Sequence, residues 1–243
     1  VIPEGVKDTA PFVQILDPAT GTGTFLVEVI DLIFTTMSGK WRTAKKSETE
    51  IRELWNEYVP RHLLPRVYGF ELMMAPYSIA HMKIGLKLRE TGYSFISSER
   101  AQIYLTNTLE EPKEFPPYLA TMAPALAHEA EAANCVKRQT PITVIIGNPP
   151  YSGVAANKGE WIETLMSEYK VTVQTEERQI QRLSNDYVKF IRYGQETLRR
   201  TNSGILSFIS DNGYVDGLLF RDMRQSLLGD FSTLGILNLH GAL

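Results

Sequence analysis

Two short strings hold the side chains of this chain best placed to do chemistry. The first is Asn148-Pro149-Pro150-Tyr151. Both prolines lack a backbone N–H and have fixed φ, and Asn148, preceding a proline, is pushed toward extended backbone. The corner is therefore stiff. It offers an Asn side-chain oxygen and a prolyl carbonyl as acceptors, with a flat ring beside them. Such a set suits a planar, amine-bearing group whose N–H bonds are accepted while its face is stacked. The second string is Asp17-Pro18-Ala19-Thr20-Gly21-Thr22-Gly23-Thr24-Phe25. Its glycines let main chain approach a ligand closely. Position 26 is Leu, so the third glycine of a dinucleotide fingerprint is missing. The leading carboxylate would repel a pyrophosphate but attract the sulfonium and amino groups of S-adenosylmethionine.

The elements around these strings predict how they are held. Thr143-Val144-Ile145-Ile146-Gly147 reads as a buried parallel strand running into Asn148. Val13 to Asp17 reads as a short strand that Gly21 and Gly23 break before a helix over Phe25 to Met37. Glu48 to Leu64 has the pattern of an amphipathic helix, with Ile51, Leu54, Trp55 and Tyr58 on one face. Arg66 to Glu71 is a second strand ending in an acid, and a helix follows from about Pro76 to Arg89. Ile103-Tyr104-Leu105 is a third strand, ending at Thr106-Asn107; Tyr118 to Lys137 is Ala-rich and helical. Tyr151 to about Glu160 should be a loop, and Trp161 to Leu183 is polar, either helical or mobile. Asn185-Asp186 is a capping signal for a helix from Tyr187 to Arg200. Gly204 to Ser210 is a fifth strand, Leu218 to Leu228 a helix, and Leu234 to Leu239 a sixth strand. This alternation predicts an α/β fold: a Rossmann-like, doubly wound, mostly parallel sheet with helices on both faces, here read as one domain over residues 1–243. Both strings then fall at carboxyl ends of strands, where open α/β sheets bind ligands.

Bulk properties narrow the classes. A single cysteine, Cys135, excludes an internal disulfide, and the four histidines (His62, His81, His128, His240) are scattered, so no metal site is assigned. No run of about 18 apolar residues suggests a membrane span. The net charge of −3 is unusual for a duplex-binding protein, which normally shows a basic balance or face. Either the basic side chains cluster in space or a separate segment supplies most of any nucleic-acid affinity. The chain starts without an obvious domain beginning and stops just after an apolar run, as a piece of a longer protein would.

In order and residue type, these strings resemble the S-adenosylmethionine-dependent adenine-N6 DNA methyltransferases. The cofactor string Asp-Pro-x-x-Gly-x-Gly-x-Phe is similar to the first motif of that family, with Thr20 where Cys or Ser is usual. Asn148-Pro149-Pro150-Tyr151 is similar to the catalytic motif. The class is the one whose cofactor motif comes first, and the flavour is most like the methylase part of large single-chain restriction–modification enzymes. The resemblance implies a methyltransferase of class I fold and a cofactor site of Asp17, Pro18, Ala19, Thr20, Gly21, Gly23, Thr24 and Phe25. Glu71 would meet the cofactor ribose, and Asn107, where Asp is commoner, the adenine amino group. It implies catalysis by Asn148, Pro149, Pro150 and Tyr151 on a flipped-out adenine in DNA. Asn185-Asp186-Tyr187 to Phe190 resembles the next family motif and Gly204 to Ile209 the strand after it. A recognition domain and an N-terminal cofactor motif usual in the family are missing, as in a fragment. The expected partners are DNA and flanking target-recognition, nuclease or translocase modules, in a cytoplasmic bacterial or archaeal enzyme with no membrane contact. The stretch from Ser152 to Leu183 is expected to order only when DNA arrives.

Other readings stay open. Protein glutamine-N5 methyltransferases also carry Asn-Pro-Pro-Tyr, but their first motif usually lacks Asp-Pro and the final Phe. RNA base methylation, a non-catalytic recognition scaffold with this fold, and a nicotinamide-dependent oxidoreductase fit less well.

Overall fold

The computed structural model describes residues 12–95, 99–113, 121–151, 157–173 and 180–239. Five parallel strands form one sheet in the order β3-β2-β1-β4-β5: β1 (Ile15–Asp17), β2 (Val67–Glu71), β3 (Gln102–Leu105), β4 (Val144–Gly147) and β5 (Ile205–Phe208). The chain builds outward from β1 in one direction through β2 and β3, then returns to the other side of β1 with β4. The switch point of the sheet therefore lies between β1 and β4, and open α/β sheets bind ligands outside the carboxyl ends of the strands at such a point.

Helices cover both faces. On one side pack α1 (Thr24–Thr43), α2 (Glu48–Tyr58) and α3 (Met74–Glu90), burying Leu26, Ile30, Trp55, Ile84 and Leu88 against Val67 and Ile103. Ser47 and Glu50 close a reciprocal capping box at the start of α2. The amphipathic pattern expected to Leu64 does continue, but as a π turn (Val59–Leu63) and a 3₁₀ turn (Leu64–Arg66). Pro60 has no N–H to give the α-helical ladder, which accounts for the change of winding. On the other side lie α4 (Pro124–Gln139), α5 (Glu160–Met166), α6 (Asp186–Arg199), the short α7 (Gly213–Asp216) and α8 (Arg221–Asp230). Their core joins Leu16, Phe70 and Ile145 of the sheet to Val136, Ile162, Met166, Val188 and Met223.

Three expectations need correction. Leu234 to Leu239 forms no strand: the run is without regular structure, with Leu234, Ile236, Leu237 and Leu239 exposed. An apolar run becomes a strand only where a neighbour accepts its backbone groups, and among the described residues none pairs with it. Trp161 to Leu183, read as polar and either helical or mobile, is helical at its start and packed rather than solvated where it is described. Its described part holds α5 and a 3₁₀ turn (Ser167–Lys170), and Ile162, Met166, Tyr169, Val173 and Leu183 are fully buried. Glu163 and Glu168 of this layer pair with Lys189 and Arg192 of α6, a placement that composition does not announce. Third, Asn185 precedes α6, yet its side chain makes no capping bond. The start of the Ala-rich helix expected at Tyr118 and part of the loop after Tyr151 lie outside the described residues; the helix itself runs from Pro124.

Candidate active site

At the tip of β1, Asp17 is completely buried. Its Oδ1 accepts the Ala19 backbone N–H at 3.1 Å, while Oδ2 is buried with no partner among the described residues. Burial pushes this carboxyl up to about 7; the Ala19 hydrogen bond works against that shift, and the nearby Glu71 charge adds to it. An orphaned buried carboxylate oxygen is costly unless something outside the chain completes it. The turn that follows is built to leave room for that something. Gly21 and Gly23 take positive φ, +54° and +79°, which L side chains rarely adopt. Thr20 locks the turn by donating its hydroxyl to the Asp17 carbonyl at 2.9 Å and its N–H to the Phe70 carbonyl at 3.0 Å.

Glu71, at the end of β2, accepts the Gly21 N–H on one oxygen and the Met73 N–H on the other, both at 2.8 Å. It thus ties the glycine turn to the neighbouring strand while keeping lone pairs for further donors. The turn after β3 reaches the same place. Thr108 donates its hydroxyl to the Pro18 carbonyl at 2.5 Å, which sets Asn107 beside the glycine turn. Lys137 of α4 pins that turn from behind through the Thr106 hydroxyl and the Asn107 carbonyl at 3.2 and 2.7 Å. Burial lowers its pKa to about 8.

At the tip of β4, Asn148 is exposed and Pro149 buried. The Tyr151 hydroxyl donates to Asn148 Oδ1, so the amide oxygen points to where a donor can reach it. Tyr151 is 44% exposed. Burial first, and then the charge of Asp211, raise its pKa. The two strings meet at Gly147: a Cβ there would lie 2.7 Å from Asp17 Oδ1. Only glycine allows β4 to carry Asn148 past the buried carboxylate.

The structure therefore brings Asp17 to Gly23, Glu71, Asn107 and Asn148 to Tyr151 to one edge of the sheet. Thr24 and Phe25 open α1; the Thr24 hydroxyl accepts a hydrogen bond from Lys83 at 3.1 Å. Sequence reasoning missed Gly69, Gly147 and Lys137. A Cβ on Gly69 would stand 2.5 Å from Thr20 Oγ1, so that glycine keeps the locking hydroxyl in place. No local pattern announces such a residue, because the clash is with a strand or loop distant in sequence. Asp186 was read as part of a helix cap. It instead accepts the Asn157 side-chain N–H at 3.2 Å.

A buried carboxylate with one oxygen unpartnered, a glycine turn and an Asn-Pro-Pro-Tyr corner at the switch point of a parallel sheet fit a Rossmann-like fold of the class I methyltransferase type. Comparison with known families then gives the identification. Residues 66–242 match the model of the Eco57I restriction-modification methylase family, and the chain belongs to that family. The match begins after the glycine turn, so Asp17 to Phe25 are supported by geometry alone. Similar solved structures include a DrdV–DNA complex (27% identity, TM-score 0.61, covering 90% of this chain and 19% of that one). They also include the ATP-dependent Type ISP restriction-modification enzyme LlaBIII bound to DNA (26%, 0.66, 92% and 14%). A nuclease-deletion mutant of the Type ISP enzyme LlaGI, in complex with a DNA substrate mimic, is comparably similar (25%, 0.66, 90% and 17%). The chain spans less than a fifth of the length of each of these proteins. A comparison with curated proteins finds no match.

Proposed function

We propose that this chain is the methyl-transferring part of a restriction–modification enzyme, moving a methyl group from S-adenosylmethionine to the exocyclic N6 of adenine in DNA. The observation that carries the reading is the meeting of Asp17 and Asn148 across Gly147 at the sheet's switch point. Membership of a restriction–modification methylase family favours DNA over a protein amide as acceptor.

The residues present fit the cofactor. The partnerless Asp17 Oδ2 would answer a cationic group, and the positive-φ glycines leave a backbone-lined hollow. Glu71 has lone pairs left for hydroxyls, and Asn107 stands at the far side of the turn for an adenine edge. When bound, the cofactor supplies an electrophilic methyl group on sulfur. The chain's own part is to prepare the nucleophile. An exocyclic amine is weak because its lone pair is delocalised into the ring. Asn148 Oδ1 and the Pro149 carbonyl accept its two hydrogens, which favours a pyramidal nitrogen with its lone pair directed away from the acceptors. These are fixed dipoles aimed at developing positive charge, combined with positioning of the reacting atoms. The target atom is hidden inside a duplex, so the base must be flipped out. Tyr151 then stacks on it, an interaction worth about 1–3 kcal/mol.

The test is to incubate the protein with methyl-labelled S-adenosylmethionine and an oligonucleotide carrying one unpaired adenine, digest the product, and analyse the nucleosides by mass spectrometry. Label in N6-methyldeoxyadenosine is expected. Label in a cytosine, or in added release-factor protein instead of DNA, would overturn the assignment.

A further inference from the structure

Helix α3 is apolar on two sides. Ala80, Ile84 and Leu88 form the face buried against the sheet. Ala75, Ile79, Met82 and Leu86 form a second stripe, spaced four, three and four residues apart and turned outward. It runs roughly 17 Å, about three helical turns. A surface helix normally carries polar side chains there. The turn after α3 extends the stripe. Asn56 of α2 clamps that turn, donating its amide N–H to the Gly92 carbonyl at 2.9 Å and accepting the Ser94 N–H at 2.7 Å. Phe95 follows at φ +51°, a backbone that bulky residues rarely adopt, with its ring edge-on to Tyr93 at 4.8 Å. Ile79, Met82, Leu86 and Phe95 are each between 40% and 58% exposed. Met82, Leu86 and Phe95 line an open groove of about 680 Å³, into which Gly85 presents no side chain. Arg52 of α2 and Arg89 at the end of α3 line the same groove. Neither pairs with a carboxylate among the described residues, whereas nearby Arg42, Lys46 and Lys87 all do.

We propose that this face of α2 and α3 is a docking surface for an amphipathic helix from another module of the same polypeptide, with apolar side chains laid on Ile79, Met82, Leu86 and Phe95 and carboxylates meeting Arg52 and Arg89. An apolar stripe beside a groove is the shape that receives a helix. The two open guanidinium groups set the sign of the partner's flanks, since their fork of N–H donors matches a carboxylate. Phosphates would satisfy the arginines but leave the apolar stripe wet. The size of the patch argues for a tethered partner. Four apolar side chains and two cations fall well short of the roughly 20–30 residues a side found in complexes between separate proteins. A helix on the same chain has an effective concentration on the order of millimolar, so even weak contacts keep it seated. Its origin in the same polypeptide rests on the proposed place of this chain in a restriction–modification enzyme; the chemistry of the surface does not.

The test uses two fluorescein-labelled helical peptides with the same leucines at i, i+3, i+4 and i+7, one flanked by glutamates and the other by lysines, titrated with the protein by anisotropy. The glutamate peptide should bind with a Kd on the order of 0.1–1 mM, the range that tethering makes sufficient. It should bind about 3- to 10-fold tighter than the lysine peptide, as expected for two exposed ion pairs. The double charge reversal Arg52→Glu/Arg89→Glu should invert that preference, and Met82→Asp should abolish binding of both. All three positions are on the surface, and circular dichroism checks folding. Absence of binding, or equal binding of the two peptides, would overturn the proposal. So would a dimer in sedimentation that Met82→Asp dissolves, which would give the surface to a second copy, or displacement of the glutamate peptide by duplex DNA, which would give it to phosphates. None of these readings depends on methyl transfer, so this proposal and the assignment of the reaction fail separately.

Discussion

At Asp17 the physics is that of a buried acid waiting for a counter-charge. Its folded pKa of about 7 stands above the ordinary value of 3.8. The folded state therefore holds a proton that the unfolded chain has lost. The resulting contribution is fully present below about pH 4 and is lost as pH rises toward 7, amounting at most to roughly 4 kcal/mol. Asp17→Asn should accordingly raise the melting temperature of the free protein at pH 8 and change it little at pH 4. A cationic cofactor favours the ionised form. Binding should therefore release close to one proton at pH 6 and almost none at pH 9, measurable by calorimetry in buffers of different ionisation enthalpy. Equal proton release at both values would remove Asp17 from the site. Tyr151 carries a second residue-scale expectation. Its hydroxyl occupies the Asn148 oxygen that the substrate amine needs. Tyr151→Phe keeps the ring and frees that oxygen, so methyl transfer should be retained or modestly faster. Tyr151→Ala loses the stacking surface and should raise the KM for DNA about tenfold or more. A Phe variant as impaired as the Ala variant would assign the hydroxyl a direct part in the chemistry.

At the level of elements, α6 is the hinge between sheet and outer layer. Twelve of its 14 residues are buried, among them Lys189, Arg192 and Gln195. Their partners come from the layer over residues 157–173 and from α8: Glu163 for Lys189, Glu168 for Arg192, and Asp230 for the Gln195 amide. Lys189→Met removes a buried ammonium, leaves the Asn157 carbonyl without that donor and leaves Glu163 with Lys170 as its remaining cation. Glu163 is partly exposed, so the loss should be about 2–3 kcal/mol rather than the larger cost of a fully buried orphan. A thermal or urea melt measures it, and unchanged stability would show that the ion pair contributes nothing net. This layer also marks the limit of what the sequence made legible. The strands were readable because parallel strands are near-continuous apolar runs, a pattern that even the edge strand β5 keeps although Ile205 is exposed. The glycine turn and the Asn-Pro-Pro-Tyr corner were readable because their residue types have backbone consequences. The ion pairs of the outer layer were not, because Glu163 and Glu168 pair with α6 residues 24 to 31 positions away, and local composition cannot distinguish a buried ion pair from a solvated face. The failed strand at Leu234 to Leu239 has the same root: its pattern was right, but a strand needs a partner that no pattern supplies.

At the scale of the whole molecule, part of the positive charge is spent on internal ion pairs. Lys170, Lys189, Arg192 and Arg199 all face carboxylates of neighbouring elements, and the net charge is −3. These four cations are engaged by carboxylates rather than open to phosphates. The isolated chain should therefore bind duplex DNA weakly, with a shallow dependence of log affinity on log salt, of slope about −1 to −3 rather than the steep slopes of proteins making six or more phosphate contacts. Fluorescence anisotropy across a salt series checks this, and a steep slope would reveal a basic face formed in some other way. The same reasoning makes the crevice between β1 and β4 a chemical centre rather than a gripping surface.

The central claim is that Asn148 prepares the nucleophile and does not hold the cofactor. The most direct measurement compares Asn148→Ala with the parent in two assays on one preparation: S-adenosylhomocysteine binding by calorimetry, and labelled methyl transfer to an unpaired adenine. Binding should stay within about twofold of the parent. Transfer should fall by about 100-fold or more, the scale for removing one preorganised acceptor at the reacting centre. A variant that methylates at the parent's rate would contradict the account.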